Sequence, residues 1–220
     1  MIVHLLEYQI LAGHAAEVVA FVRHSQDGSS QSGPVSRCTG RRLTVDGPRY
    51  LVMSAWQDSG AFRVGTNAAG MPRDLASKTS LLRRRSSSQY RAVEFHGADW
   101  CEARVLRLYR VSVARDALDL WERSVASDIA GMIGLPGIML ALAGVAMGDA
   151  GDAGESGESG DVRILVLTAW RDWDALLEAT GGRLSRPILG TELSGPQPHS
   201  LADHYERVDM QADGDLDLSL

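Results

Sequence analysis

The chain has 220 residues, of which 45% are hydrophobic and 23% charged, and its formal net charge is -6. An acidic protein lacks the basic surface that displaces phosphate counterions, which argues against non-specific nucleic-acid binding, and no apolar run reaches the roughly 18 residues of a membrane-spanning helix. The first residues, MIVHLLEYQI, lack the basic start and cleavage site of a signal peptide, so we expect a cytoplasmic protein without nucleic-acid or membrane partners.

The first half of the chain predicts the element order β-α-β-β-α-β. Its four strands are rich in β-branched and aromatic residues, and lie at 2–10, about 35–45, 50–56 and around QYRAVEF at 89–95. The first helix is indicated by apolar residues at the spacing of one helix face, namely Ala15, Val18, Val19 and Val22. A second helix is expected near 59–69, with Asp58 as its N-cap.

The second half predicts the same order. Its strands lie at 103–113, 138–147, 162–170 and around HYERVD at 204–209. The stripe of its first helix contains Ala117, Leu120, Trp121 and Val125. Its second helix is expected at 173–180, and Asp172 stands at the N-cap position.

The two halves also resemble each other residue by residue. LVMSAWQDSGAF at 51–62 is similar to LVLTAWRDWDAL at 165–176, which places Trp56 and Trp170 114 residues apart. Upstream, Tyr8 and Tyr109 match at an offset of 101. The acidic segment GDAGDAGESGESGD at 148–161 explains the difference, because the first half has only DGPR at that place. Such a segment has no large apolar group to bury and predicts a long loop.

This repeat predicts an α+β protein made of two tandem ferredoxin-like units, residues 1–98 and 99–210, followed by an acidic tail at 211–220. Each unit has an antiparallel sheet with helices on one face. The two sheets are expected to bury their other faces against each other, so that one chain forms a pseudo-dimer. Pairing of whole chains into a homodimer stays open.

The strand-ending tryptophans, each followed by an Asp and a helix, and the late QYRAVEF and HYERVD resemble the antibiotic-biosynthesis-monooxygenase family of the dimeric α/β-barrel superfamily. The resemblance covers most of the chain, as two tandem copies. It implies an intrachain α/β barrel. Superfamily members include cofactor-independent oxygenases of aromatic polyketides, haem-degrading enzymes and small-molecule isomerases, so the fold does not decide the function.

The haem-degrading branch is the least favoured of these readings. That branch implies an Asn on the first strand, a Trp ending the third strand and a His about ten residues later. Trp56 and Trp170 match the Trp, but neither first strand has an Asn, and Thr66 and Thr180 stand ten residues after the tryptophans. Haem binding or degradation is therefore not expected.

The candidate substrate-binding residues are aromatic side chains and histidines on the predicted strands: Tyr8, Trp56, Tyr109, Trp170, His4 and His96. The aromatic residues either line a pocket for a flat substrate or pack in the core. The histidines are candidate bases because imidazole titrates near neutral pH. Neither the two cysteines, Cys38 and Cys101, nor the histidines show metal-site spacing, and no nucleotide-binding motif is present, so no metal or cofactor is predicted.

Two function classes remain open. The first is a cofactor-independent monooxygenase-type enzyme acting on a small hydrophobic or aromatic substrate. There the substrate anion reacts with oxygen while the protein supplies a base, a dry pocket and orientation. The alternative is a non-catalytic ligand-binding or assembly protein of the same fold. A titratable group at the floor of the pocket favours the enzyme, and a cavity filled by side chains favours the alternative.

Overall fold

Eight strands form a closed barrel in the computed structural model, which describes residues 1–11, 13–14, 33–67, 79–97, 100–147, 161–184 and 202–208. The strands are β1 Ile2–Ile10, β2 Ser36–Thr44, β3 Gly47–Trp56, β4 Leu82–Gly97, β5 Val105–Val113, β6 Ile138–Ala146, β7 Val162–Trp170 and β8 Ala202–Arg207. The helices in these ranges are α1 Ser59–Gly65, α2 Leu118–Met132 and α3 Trp173–Thr180. The predicted helix around 15–22, most of the acidic segment (148–160) and the tail at 211–220 lie outside the described residues.

The barrel closes in the order β1-β3-β2-β8-β5-β7-β6-β4, and every neighbouring pair is antiparallel. The first four strands lie side by side as β4-β1-β3-β2, and the last four as β8-β5-β7-β6. We call these sets the first half and the second half. They join where β2 pairs with β8 and where β4 pairs with β6. The predicted α+β barrel is confirmed, with the two sheets hydrogen-bonded into one closed cylinder.

The strand register defines which residues of the two halves correspond. Ile2 lies opposite Trp56 on β3, and Val105 lies opposite Trp170 on β7, so corresponding residues of β1 and β5 are 103 apart. The offset of 101 that matched the tyrosines is therefore wrong. Tyr8 lies opposite Tyr50, whereas Tyr109 lies opposite Val166. Two chemically similar side chains had suggested a pairing that the backbone ladder does not have.

The barrel interior is filled by side chains at alternating positions of every strand, as the two-residue period of a strand requires. They form one buried cluster that includes Val3, Leu5, Cys38, Met53, Tyr90, Leu106, Leu108, Leu142, Leu167 and Tyr205. Glycines allow close approach at the two joins between the halves. A Cβ on Gly40 would lie 2.7 Å from the Cβ of Tyr205, and one on Gly144 would lie 3.1 Å from the Cβ of Tyr90.

The helices cover the outside of the barrel. α1 and α3 begin as predicted, because Asp58 Oδ1 accepts a 2.8 Å hydrogen bond from the amide of Ala61, and Asp172 Oδ1 accepts one of the same length from Ala175. The buried face of α2 differs from the predicted stripe. It consists of Trp121, Val125, Ile129 and Met132, while Leu120 is 65% exposed. None of the described helices is long and apolar enough to cross a membrane.

The start of β4 was not expected from its sequence, LRRRSSS. Arginines and serines are poor strand formers, and this stretch reads as a loop. β1 nevertheless pairs with Ser86, Ser87 and Ser88, so tertiary hydrogen bonding overrides the local preference. This longer strand brings a hydroxyl group next to His4.

Candidate functional site

His4 lies at the centre of a polar and aromatic cluster on the outer, helix-facing side of the first half. Its side chain is completely buried. Its Nε2 lies 2.9 Å from Ser87 Oγ on β4, and its ring centroid lies 5.2 Å from that of Phe62 on α1. Ser54 on β3 is its partner in the strand register. The site is therefore assembled from three adjacent strands and the helix that follows β3.

The imidazole of His4 is neutral at neutral pH. Burial, assisted by the positive charge of Arg37, lowers the pKa of His4 from 6.5 to about 4. Among the described residues, Nδ1 has no hydrogen-bond partner. When Nε2 carries the ring proton and donates it to Ser87, Nδ1 presents a lone pair. The residue is then a buried proton acceptor packed against the apolar ring of Phe62.

Trp56 lies on β3 two residues after Ser54, the register partner of His4. It is 1% exposed, its Nε1 donates a 3.0 Å hydrogen bond to Ser54 Oγ, and its ring meets Phe62 edge-on at a centroid distance of 5.6 Å. Phe62 thus contacts both Trp56 and His4. The hydroxyl two residues before the tryptophan fixes the indole orientation.

Tyr8 belongs to a separate cluster on the same face. It stacks on Tyr50 with centroids 5.8 Å apart, and burial raises its pKa above the ordinary tyrosine value. It lies four residues along β1 from His4, roughly 13 Å at the usual strand rise. The structure therefore does not bring the Tyr8 hydroxyl and the His4 ring together.

The second half has Arg107 at the position that corresponds to His4. Its side chain is 1% exposed, and its guanidinium carbon lies 5.8 Å from the ring centroid of Tyr109. Burial lowers the pKa of Arg107 to about 10, so it stays charged at neutral pH. Trp170 repeats the role of Trp56, since its Nε1 donates a 2.8 Å hydrogen bond to Thr168 Oγ1. Of the predicted candidates, Tyr109 thus lies next to a buried cation, and Trp170 is hydrogen-bonded to Thr168, the register partner of that cation.

His96 lies away from both clusters. It is half-exposed, and its Nε2 lies 2.6 Å from Glu94 Oε1. It stands seven residues along β4 from Gln89, the register partner of His4, which corresponds to roughly 23 Å. The sequence could not predict whether His96 lies near His4 on β1, because the length and register of β4 were unknown.

Several residues of these clusters were missed from the sequence, namely Ser54, Phe62, Ser87, Arg107 and Thr168. One signal for two of them was present. Each strand-ending tryptophan is preceded two positions earlier by a hydroxyl residue, in SAW and in TAW. Alternation on a strand puts both side chains on one face, where the hydroxyl can accept the indole N–H. Among the described residues, no group of three or more His, Cys, Asp or Glu side chains is arranged to hold a metal ion.

No protein-family model matches the chain, and no curated protein sequence does either. Solved structures are similar over almost the whole chain. A proposed monooxygenase from Fusobacterium nucleatum aligns with a TM-score of 0.60 at 8% identity, covering 94% of this chain and 90% of its own. One from Lactobacillus acidophilus gives 0.59 at 12% identity, covering 94% and 92%. A Listeria monocytogenes ferredoxin-fold protein related to antibiotic biosynthesis monooxygenases gives 0.52 at 9% identity, covering 95% of both chains.

The chain has the fold of the antibiotic-biosynthesis-monooxygenase-related proteins. The fold resemblance inferred from the strand-ending tryptophans is thereby confirmed. An anthrone oxidase-like protein also aligns, with a TM-score of 0.54 at 9% identity, covering 94% of this chain and 91% of its own. A regulator of staphylococcal pathogenesis shares the same fold, with a TM-score of 0.55 at 6% identity, covering 94% of this chain and all of its own. Proteins with such different roles share this architecture, so function has to be argued from the site.

Proposed function

We propose that the first half is a cofactor-independent oxygenase site, in which His4 removes a proton from a small aromatic substrate and the resulting anion reacts with molecular oxygen. The observation that carries this proposal is the state of His4. It is a fully buried, neutral imidazole packed against the ring of Phe62, which in turn contacts Trp56. Such a reaction requires a base of this kind in an apolar environment.

The electrostatics of the site favour formation of a substrate anion. The positive charge of Arg37 that lowers the pKa of His4 also stabilises a negative charge that develops nearby. A base with a pKa of about 4 is weak on its own. Once the proton has moved, however, the imidazolium and the substrate anion form an ion pair in a site with little water. Their attraction raises the pKa of the imidazolium and holds the proton there.

The proposed reaction balances with oxygen as the only co-substrate. His4 takes a proton from an acidic methylene group, and the carbanion gives its electrons to O2, which forms a C–O bond and a peroxide. Loss of the second methylene hydrogen and cleavage of the O–O bond leave a carbonyl group. One oxygen atom ends in the product and the other in water, so the methylene carbon loses four electrons and O2 gains four.

Oxygen uptake tests this proposal directly. We choose anthrone as the probe because it is a flat aromatic with an acidic methylene group, and because an anthrone oxidase-like protein has the same fold. The wild-type chain is expected to consume one O2 per anthrone and to form the quinone. His4→Gln should lose at least about a hundredfold in rate, since a positioned base contributes about that much. His96→Gln, which changes a histidine outside the site, is the matched control.

Two outcomes would contradict the oxygenase proposal. Equal oxygen uptake by the wild type and by His4→Gln would remove His4 from the chemistry. No uptake by the wild type, together with binding of anthrone that His4→Gln weakens, would favour the alternative of a ligand-binding protein. In either case the oxygenase proposal fails for this substrate class.

We further infer that the chain consists of two ferredoxin-like units, residues 1–98 and 99–210, which form a pseudo-dimer without a second chain. The proposal is supported by the matching strand orders of the halves, by the matching N-caps Asp58 and Asp172, and by the matching tryptophan-to-hydroxyl hydrogen bonds. Further association of whole chains into a homodimer is compatible with it, since symmetric dimers are common.

A further inference from the structure

Arg107 and His204 form a pair of hydrogen-bond donors on the helix-facing side of the second half. They lie opposite each other on β5 and β8. Arg107 is almost completely buried, and its Nη2 donates a 3.4 Å hydrogen bond to the carbonyl oxygen of Leu184. The Nε2 atom of His204 is also shielded from solvent and has no hydrogen-bond partner among the described residues. Two nitrogen-bearing side chains therefore lie side by side on this face of the sheet.

Aromatic and hydroxyl groups surround this pair. The ring of Trp173, in the first turn of α3, lies 5.9 Å from the ring of His204. The ring of Tyr109 lies below the guanidinium group. Thr168 is the register partner of Arg107 on β7. Its oxygen accepts from Trp170, a bond that does not use the hydroxyl proton.

From this arrangement we propose that the second half binds a small aromatic carboxylate. The carboxylate would accept hydrogen bonds from Arg107 and His204, and the aromatic ring would pack against Trp173. This inference goes beyond the oxygenase proposal for the first half and does not depend on it.

The hydrogen-bond donors of Arg107 and His204 favour an anionic ligand. A guanidinium group is a planar fork that matches both oxygens of a carboxylate, and such charge-assisted hydrogen bonds are stronger than neutral ones. A neutral His204 can add a donor through Nε2 when its Nδ1 is unprotonated. The flat ring of the ligand then packs against the apolar surface of the Trp173 indole.

The corresponding site in the first half, around His4, favours a neutral ligand rather than an anion. There His4 is neutral and able to accept a proton, whereas Arg107 is a cation that cannot act as a base at neutral pH. The two sites therefore differ in the ligand they prefer. A weakly acidic neutral molecule suits the first site, and a molecule that is already anionic suits the second.

Calorimetric titration of the full chain with benzoate and 1-naphthoate tests the proposal, with benzamide and 1-naphthamide as uncharged analogues of the same shape. The wild type should bind a carboxylate at least about tenfold more tightly than its amide, the range expected for a hydrogen-bonded charge. Arg107→Gln should remove this preference. Arg107→Lys, which keeps the charge but loses the planar fork, should keep part of it.

Arg171→Gln is the matched control, because it removes the same charge from an exposed residue next to α3. It should bind carboxylates like the wild type. Thermal unfolding of each variant establishes that the barrel is intact. Should Arg107→Gln fail to fold, the comparison of carboxylate with amide on the wild-type chain still decides the question. Equal affinity for the two, or no binding of either carboxylate, would overturn the proposal.

Discussion

Glu7 and Arg110 occupy corresponding positions on β1 and β5, and they form an ion pair with each other inside the barrel. The distance from Glu7 Oε1 to Arg110 Nη2 is 2.5 Å. The Tyr205 hydroxyl donates to the other Glu7 oxygen at 2.6 Å, and Arg110 also donates to Asp203 at 3.0 Å. In a dimer of identical subunits, corresponding residues that meet across the twofold axis carry the same charge. A single chain with two different halves can place opposite charges there instead.

We expect this pair to be strongly coupled in a double-mutant cycle of unfolding free energies. Glu7→Gln leaves Arg110 with Asp203 as its remaining partner, and Arg110→Met leaves Glu7 with the Tyr205 hydroxyl. Breaking the ion pair in this largely buried place costs up to about 3 kcal/mol in each single variant. The double variant removes both charges. It should therefore lose at least about 1.5 kcal/mol less than the two single losses combined, within the range of contacting residues. Chemical denaturation of the four proteins provides the measurement.

An exposed pair serves as the control for this cycle. Arg91 Nη2 lies 2.8 Å from Glu122 Oε1 on the outside of the barrel, and the two side chains are 51% and 30% exposed. The same type of cycle there should give about 1 kcal/mol or less. Additive losses for Glu7 and Arg110 would mean that the ion pair does not hold the halves together.

The burial of His4 predicts a pH-dependent stability. Its pKa is 6.5 in the unfolded chain and about 4 in the folded one. The unfolded state therefore binds more protons between these values, and the folded state loses stability as the pH falls from 6.5 towards 4. For a fully buried group this amounts to about 3 kcal/mol. His204 shows a shift in the same direction, so the two residues contribute together.

Urea unfolding measured across this pH window checks the prediction. His4→Gln should flatten the pH dependence, and His204→Gln should flatten it by a further amount. A His4→Gln slope equal to that of the wild type would show that the folded imidazole takes up its proton as easily as the unfolded one.

The sequence predicted those parts of the fold that local patterns determine. β1, β7 and α3 have the expected bounds, and both N-caps lie where a carboxylate precedes a helix. Features that depend on pairing between distant strands could not be predicted. The offset between the tyrosines was wrong because register is set by the whole ladder. The start of β4 was missed because its hydrogen bonds come from β1.

The same distinction holds for the site. Trp56 and His4 were identifiable as residue types, and the structure places both against Phe62. His96 was an equally reasonable candidate by residue type, and it lies elsewhere. The sequence carried no signal that Arg107 corresponds to His4, because that correspondence follows from the register of β5 with β7.

The acidic segment at 148–161 is expected to contribute little to stability. β6 and β7 already pair up to Val145 and Ile164, and the first half joins its corresponding strands by a short turn between Thr44 and Gly47. Each doubling of loop length costs only about 0.6 kcal/mol. Replacing residues 148–161 by Asp-Gly-Pro-Arg should leave the Tm nearly unchanged. A fall of more than about 10 °C, several times the effect of 1 kcal/mol, would show that the segment contacts the rest of the protein.

The two halves are expected to depend on each other for folding. The barrel interior contains a large apolar cluster to which all eight strands contribute. Residues 1–98 alone would therefore expose an apolar sheet face of a size that soluble monomers seldom show. Light scattering on this fragment should detect self-association or aggregation. A monomer of residues 1–98 that unfolds cooperatively would contradict the proposal that the halves bury each other.

The central claim is that His4 removes the substrate proton, and an anaerobic absorption spectrum tests it most directly. Without oxygen the reaction stops at the anion, so mixing the wild-type chain with anthrone at neutral pH should produce the absorption band of the anthrone anion. His4→Gln should bind anthrone without forming this band, and His96→Gln should behave like the wild type. Formation of the anion to the same extent by His4→Gln, or its absence in the wild type with anthrone bound, would contradict the account.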